Sequence, residues 1–300
     1  MRDEQHDHDL GLAHDLPRLL GRRRVLAILG GLGAAAIVGC GDDEGATAGT
    51  STTGAAPSST GATATTAAST GTSAATDCSQ IPEETAGPFP GDGSNGPNVL
   101  ADSGVVRRDI TSSFGSSSTV AEGVPLTIDL VAFDTTSGCQ ALRGAAVYVW
   151  HCDREGRYSM YSEGVEGENY LRGVQETDAS GRVRFESTFP GAYSGRWPHI
   201  HFEVYESLDA ATSGGNPIAT SQIALPADVC DGAYAIAGYE QSIRNMEQTS
   251  LASDMVFADD GGASQLGSAS GSPEAGYAVE LSVPVDPTAV STGRSAGGRP

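Results

Sequence analysis

The chain has 300 residues, and 38 acidic residues against 17 Lys and Arg give it a formal net charge of -21 at pH 7. This charge argues against a nucleic-acid partner, because binding to phosphates requires clustered Lys and Arg side chains. About 210 residues remain once the low-complexity amino-terminal part is set aside, which is enough for one domain with a sizeable core.

The first 40 residues are arranged as a bacterial export signal. Arg22–Arg24 precede an apolar run at 25–38, which is shorter than the ~20 residues of a membrane span. The arginine cluster resembles a twin-arginine signal. The segment 37–40 resembles a lipobox, which predicts that Cys40 is lipidated; a cleaved signal with an incidental cysteine is the alternative. We therefore expect an exported protein, either a cell-surface or periplasmic lipoprotein or a secreted one.

Two further segments lack the composition of a folded core. Residues 41–77 contain only Gly, Ala, Ser, Thr, Pro, Asp and Glu. With no large apolar side chain to bury, this segment is predicted to be a disordered linker. Residues 287–300 are polar and are predicted to form a disordered tail. The folded domain is therefore expected to span 78–286.

Apart from Cys40, the chain contains four cysteines: Cys78, Cys139, Cys152 and Cys230. An even number in an exported domain predicts two disulfides, and the spacing leaves all three pairings open. There are no CxxC pairs of the kind that a zinc ribbon uses.

The alternation of apolar and polar residues predicts mainly β-strands. Strands are expected at 124–134, 145–153, 182–188, 199–206, 218–225 and 277–285. One stretch, 226–249, is compatible with a helix. Many short strands separated by glycine-rich turns predict an all-β fold, a β-sandwich whose long loops carry the functional site.

The strand at 199–206 carries the strongest chemical signal. His199 and His201 are two residues apart, so both imidazoles project from the same face of the strand. Such a pair can bind Zn, Cu or Fe. Glu203 has the same parity and is a candidate third ligand. One hypothesis is therefore a zinc or copper β-sandwich enzyme that uses these three residues.

Two tyrosines favour a different metal. Tyr193 lies six residues before His199, in a turn that can fold back over the strand, and Tyr158 follows the strand that ends near His151. Phenolate is a hard anionic oxygen ligand, so two phenolates and two imidazoles favour Fe(III). The alternative for each tyrosine is a packing role with one polar end in water. His151 itself is interpreted as a structural histidine.

Four segments, in this order, resemble those of the intradiol ring-cleavage dioxygenases, the family of the protocatechuate and catechol dioxygenases. They are 81–90 (IPEETAGPFP), 149–159 (VWHCDREGRYS), 188–193 (TFPGAY) and 196–202 (RWPHIHF). The chain departs from the family in two respects. Trp197 and Pro198 stand where the family has proline followed by a small residue, and the helical amino-terminal domain of catechol 1,2-dioxygenases is missing. The resemblance is therefore to the compact exported branch.

The resemblance implies a set of functional residues. The ligands of a mononuclear non-haem Fe(3+) would be Tyr158, Tyr193, His199 and His201, with Tyr193 and His201 in axial positions. Arg196 would stabilise charge that develops on the substrate ring, and Tyr193 would leave the metal and accept a substrate proton. Gln222 corresponds to a glutamine that lines the family's pocket, although its spacing from His201 is longer than in the family.

The resemblance also implies the reaction. The enzyme would cleave a catechol with O2 between its two hydroxylated carbons to give a cis,cis-muconate-type product. A non-catalytic surface-binding domain of the same fold is a further alternative. The expected partners are a small aromatic diol and O2, with a membrane contacted only through a lipid on Cys40. The sequence does not indicate which catechol is cleaved, nor the oligomeric state.

Overall fold

The structure, a computed structural model, describes residues 78–293. These residues lie within one compact unit of the chain. The predicted export signal, Cys40 and the linker 41–77 lie outside the described residues, as do residues 294–300. Within the described range, no helix is both long enough and apolar enough to span a bilayer.

The described residues form nine β-strands and three short α-helices. The strands are β1 (Pro125–Asp134), β2 (Gln140–Ala141), β3 (Ala146–Trp150), β4 (Arg172–Glu176), β5 (Arg182–Thr188), β6 (His199–Tyr205), β7 (Ala219–Ala224), β8 (Ser268–Ser272) and β9 (Gly276–Val285). The helices are α1 (Leu208–Thr212), α2 (Ala227–Tyr234) and α3 (Glu240–Met246).

The strands are arranged in two sheets, which confirms the predicted all-β class. One sheet has the order β2-β1-β9-β8, and β5 also pairs with β1. The other has the order β4-β3-β6-β7. Strands β1 and β9 are parallel, whereas β3, β6 and β7 are antiparallel to their neighbours. The strand that carries the histidines, β6, is therefore an inner strand of the second sheet.

All six predicted strands are present within two or three residues of their expected bounds. Three strands were missed: β2, β4 and β8. The first is too short to show alternation, and the other two are rich in Gly, Ser and polar residues. The predicted helix at 226–249 is present as two helices rather than one. Residues 235–239, between α2 and α3, are not helical.

The main core lies between the two sheets. Alternate residues of β6, namely Ile200, Phe202 and Val204, face this core and are fully buried. The opposite face of β6 carries His199 and His201 and is also buried. Both faces of the strand are therefore covered, and the histidine face is covered by loops rather than by the other sheet.

Phe185 on β5 is a test of this core. Its side chain is fully buried among the residues of both sheets. Replacement by alanine should lower the free energy of unfolding by about 3–5 kcal/mol, because it removes buried apolar surface and leaves a cavity. Denaturant unfolding of the variant measures this change. Val106→Ala is the control: Val106 is 51% exposed, and its loss should alter stability by less than about 0.5 kcal/mol.

The cysteines differ from the expectation of two disulfides. Cys78 and Cys139 form a disulfide that ties the first described residue to the turn after β1. Cys152 and Cys230 are free and buried. The prediction of a second disulfide is therefore wrong. Cys152 donates a hydrogen bond from Sγ to the carbonyl of Gly191, so its thiol has a structural partner.

The predicted disordered tail also differs from the structure over 287–293. Ser291 donates its backbone N–H to Pro217, and its hydroxyl hydrogen-bonds with Thr220 on β7 and with Glu83. Gly293 accepts a backbone hydrogen bond from Ala86. These residues pack along the free edge of β7, which is why a polar sequence without strand alternation is ordered there.

Candidate metal centre

Sheet register sets the position of the two histidines. His201 lies opposite Trp150 on β3 and opposite Gln222 on β7. His199 begins the strand, and its register partner is Ala224. Because side chains on one face of a strand are two residues apart, both imidazoles project outward from the same end of the four-stranded sheet.

Tyr158 lies in the loop that follows β3, and Asp153 folds this loop. The Asp153 carboxylate accepts the backbone N–H groups of Glu155 and Arg157 at 3.0 and 2.9 Å, and also the Tyr170 hydroxyl at 3.0 Å. These bonds turn the chain back toward β6. Tyr158 is buried, and its ring packs on the family-like segment at 81–90, with its centroid 5.0 Å from that of Phe89.

Tyr193 lies in the loop between β5 and β6. At Gly191 a Cβ atom would lie 2.5 Å from the carbonyl oxygen of Arg154, so only glycine permits this approach. The Gly191 N–H also donates to the carbonyl of Asp153 at 3.0 Å. This contact joins the two tyrosine-bearing loops and brings Tyr193 beside Tyr158.

The four predicted ligands converge. The hydroxyl oxygens of Tyr158 and Tyr193 are 3.3 Å apart. The Tyr193 oxygen is 3.1 Å from Nε2 of His199, which in turn is 3.1 Å from Nε2 of His201. The structure therefore gathers two phenolic oxygens and two imidazole nitrogens at one point.

The surroundings favour the neutral form of all four groups. Burial, followed by the neighbouring Tyr193, raises the pKa of Tyr158 well above its usual range. Burial also raises the pKa of Tyr193, to about 12. Burial and the charge of Arg196 lower the pKa of His199 well below its usual value, and burial and His199 do the same for the pKa of His201. Neutral imidazoles at this point present lone pairs rather than positive charge.

These separations fit a single bound metal ion. For metal–ligand bonds of about 2.1 Å, neighbouring ligands lie about 3.0 Å apart at right angles and about 3.4 Å apart at tetrahedral angles. The three distances of 3.1–3.3 Å lie within this range. Two imidazole nitrogens that face each other at 3.1 Å also form a site that a cation would stabilise.

The two histidines are held in different ways. Nδ1 of His199 is 2.5 Å from the carbonyl oxygen of Trp197, which fixes Nδ1 as the protonated nitrogen and leaves the lone pair of Nε2 for a metal. His201 is instead stacked on Trp150, with centroids 4.9 Å apart and an interplanar angle of 9°. Gly87 lies over the other side, where a Cβ would be 3.3 Å from Cε1 of His201.

Arg196 and Gln222 lie beside the four ligands. Arg196 donates from Nη2 to Oε1 of Gln222 at 2.6 Å, and its Nη1 is 3.4 Å from Nε2 of His199. Gln222 donates from Nε2 to the carbonyl of Thr85 at 2.9 Å. The glutamine with the unexpected spacing is therefore placed at the site by the pairing of β6 with β7, and it links the segment at 81–90 to Arg196.

Glu203 does not join a metal site. Its Oε2 accepts a hydrogen bond of 2.6 Å from the Tyr205 hydroxyl. Across residues 78–293 there is no group of three or more His, Cys, Asp or Glu that could hold a metal ion. The alternative ligand set of His199, His201 and Glu203 is therefore not formed; the cluster that is formed depends on tyrosine.

His151 has a structural environment, as expected. Its Nε2 is 2.7 Å from the Ser187 hydroxyl and its Nδ1 is 2.8 Å from the carbonyl of Cys152, so both ring nitrogens have partners.

Two other residues at the site were missed in the sequence. Trp150 lies in the motif at 149–159 but was given no role at the site, and Asp254, which pairs with Arg196, lies in a segment, 250–260, with no motif.

Comparisons with known proteins find similarity to dioxygenases. A family model described as Dioxygenase matches residues 113–213, which include all four converging side chains. An intradiol ring-cleavage dioxygenase from Tetranychus urticae has a similar structure, with a TM-score of 0.57 and 24% sequence identity, over 72% of this chain and 99% of that chain. A second dioxygenase structure aligns with a TM-score of 0.58 and 23% identity, over 73% of this chain and 99% of its own. No curated protein matches this chain.

The two structural likenesses are below 25% identity and establish a shared fold. The family model adds a sequence match over the stretch from before β1 to the end of α1, which holds three of the four motifs. The described part of this chain is therefore a domain that resembles the intradiol ring-cleavage dioxygenases, as its motifs predicted.

Proposed function

We propose that this domain is an intradiol dioxygenase that holds a non-haem Fe(III) and cleaves a catechol between its two hydroxylated carbons. Both atoms of O2 enter the product, a cis,cis-muconate-type dicarboxylate. The observation that carries the proposal is the convergence of Tyr158, Tyr193, His199 and His201, with neighbouring donor atoms 3.1–3.3 Å apart.

The ligand set supports Fe(III) in particular. Two phenolates are hard anionic ligands that stabilise a trivalent ion, whereas structural zinc sites are built from thiolates and imidazoles. Bound Fe(III) would supply the Lewis acidity that draws electron density from a catecholate. Because the two tyrosines are neutral without a metal, both phenols would release their protons on binding it.

The residues around the ligands have separable roles in this proposal. Of the four ligand side chains, all within the described residues, Tyr193 alone is partly exposed; Tyr158, His199 and His201 are buried. Tyr193 is thus the ligand that can move aside as substrate enters, and its oxygen would accept a proton from a catechol hydroxyl. The buried guanidinium of Arg196 would stabilise negative charge on the substrate ring, and the low local dielectric would strengthen this effect.

The proposal extends to location. The arginine cluster at 22–24 and the lipobox at 37–40 support export by the twin-arginine route and attachment through Cys40, with residues 41–77 as a tether. The domain would then act at the cell surface or in the periplasm on small aromatic diols that reach it from outside.

Purified protein tests the proposal directly. We expect about one iron per chain and a red colour from charge transfer between tyrosinate and Fe(III), together with O2 uptake when catechol, protocatechuate or hydroxyquinol is added. Metal analysis, a visible spectrum and an oxygen electrode measure these three properties. A colourless protein that holds zinc would contradict the iron assignment. An iron-loaded protein that consumes no O2 with any of the catechols would instead favour a non-catalytic binding domain.

A further inference from the structure

A buried carboxylate, Asp254, lies next to the proposed site on a segment to which neither the motifs nor the family model extends. It lies between α3 and β8, beyond the matched residues 113–213. Its side chain has no exposed surface. It forms an ion pair with Arg196, with 2.9 Å between Nε and Oδ2. Breaking a buried ion pair of this kind is costly, because removal of one partner leaves the other as a buried charge without compensation.

The donors of Arg196 are divided among three partners. Nε donates to Asp254 and Nη2 donates to Gln222, so two edges of the planar guanidinium are occupied. Nη1 remains, and it lies 3.4 Å from Nε2 of His199. With two edges held, the plane cannot rotate freely, and the third edge is directed at the ligand cluster.

The acceptors of Asp254 are equally committed. Oδ2 accepts the Arg196 Nε–H and also the backbone N–H of Trp197 at 2.6 Å. Oδ1 accepts the backbone N–H groups of Val256 and Phe257 at 2.8 and 3.2 Å. Both oxygens accept hydrogen bonds from N–H groups, so the position requires a carboxylate. In asparagine, the side-chain NH2 would replace one of the two oxygens and would face an N–H donor.

We infer that Asp254 is a positioning residue for the proposed reaction, which holds the guanidinium of Arg196 so that Nη1 faces the substrate. The inference rests on the proposed function. It assigns a role to a segment, 250–260, that joins Arg196 to the turn carrying Phe257, whose ring lies 6.5 Å from that of His199. Asp254 itself contacts none of the four ligands and is not expected to change the metal.

The variant Asp254→Asn tests this role. It should lower kcat by about 100-fold, because a misplaced donor to developing charge costs nearly as much as a missing one. Iron content and the visible charge-transfer band should remain those of the wild type. Arg196→Gln should show a loss at least as large, and the double variant should lose little beyond Arg196→Gln alone, since residues that act through one another are not additive.

The control is Asp259→Asn, which removes an exposed carboxylate from the same segment and should leave kcat unchanged. Effects that add in the double variant would overturn the inference. Loss of iron or of the fold in Asp254→Asn would also overturn it and assign Asp254 a purely structural role. Anaerobic titration with catechol gives a second readout: Asp254→Asn should bind about tenfold more weakly than wild type. Wild-type protein that neither binds nor consumes any catechol would instead refute the proposed function itself.

Discussion

Replacement of Tyr158 by phenylalanine should abolish turnover of catechols. The change removes one oxygen atom from a buried ring whose packing against Phe89 is retained. That oxygen is 3.3 Å from the hydroxyl of Tyr193 and is one of the two proposed phenolate ligands that would favour a trivalent ion. The loss in kcat should exceed the roughly 10–100-fold loss that follows removal of a residue that hydrogen-bonds to a metal ligand. Oxygen uptake measures it, and the visible band should weaken and shift.

Tyr161→Phe is the matched control for this experiment. Tyr161 lies three residues along the same loop and also packs on Phe89, with centroids 5.2 Å apart. Its hydroxyl bonds to the backbone of Gly91 and Asn95 and not to any proposed ligand. Activity and colour should therefore persist in this variant. Full activity in Tyr158→Phe would remove Tyr158 from the ligand set and leave the proposed centre with three ligands.

Replacement of His199 by alanine should remove iron altogether. His199 stands in the middle of the cluster, with its Nε2 3.1 Å from both the Tyr193 oxygen and Nε2 of His201. Its loss takes away a nitrogen ligand and opens a buried cavity between the remaining donors. Metal analysis should show the iron content falling toward zero, and O2 uptake should fall with it.

Added imidazole distinguishes loss of a ligand from loss of the fold. The cavity left by His199→Ala matches the side chain that was removed, so free imidazole should restore part of the iron content and the colour. Circular dichroism should show the same secondary structure with and without imidazole. A variant that retains full iron content without imidazole would refute the assignment of His199 as a ligand.

Six of the nine strands, and the four side chains that converge, could be predicted because their signals are local. Alternation in β6 places His199 and His201 on one face, and the motif around Tyr193 marks a tight turn. The position of Gln222 could not be derived from its distance along the chain, since it depends on how β7 pairs with β6. Register between strands is a property of the whole sheet and is not visible in any one segment.

Asp254 illustrates a second limit. It is separated from Arg196 by 58 positions and lies in a segment, 250–260, with no recognisable motif. A single carboxylate there is indistinguishable in sequence from the exposed Asp259 and Asp260 nearby. What separates them is burial against Arg196, which only the folded chain establishes. The disulfide expectation was wrong for the same reason, because burial of Cys152 and Cys230 as thiols has no signature in cysteine spacing.

Residues near both ends of the described domain meet at the edge of β7. Ala86 bonds to Gly293, and Glu83 bonds to both Gly293 and Ser291. The neighbouring carbonyl of Thr85 is the one that anchors Gln222. Residues 83–86 and 291–293 are thus hydrogen-bonded to each other next to Gln222. Trimming the chain before position 293, or fusing a bulky tag close to it, would remove contacts that hold the segment carrying Thr85 beside Gln222, so residues 291–293 belong to the scaffold of the proposed site.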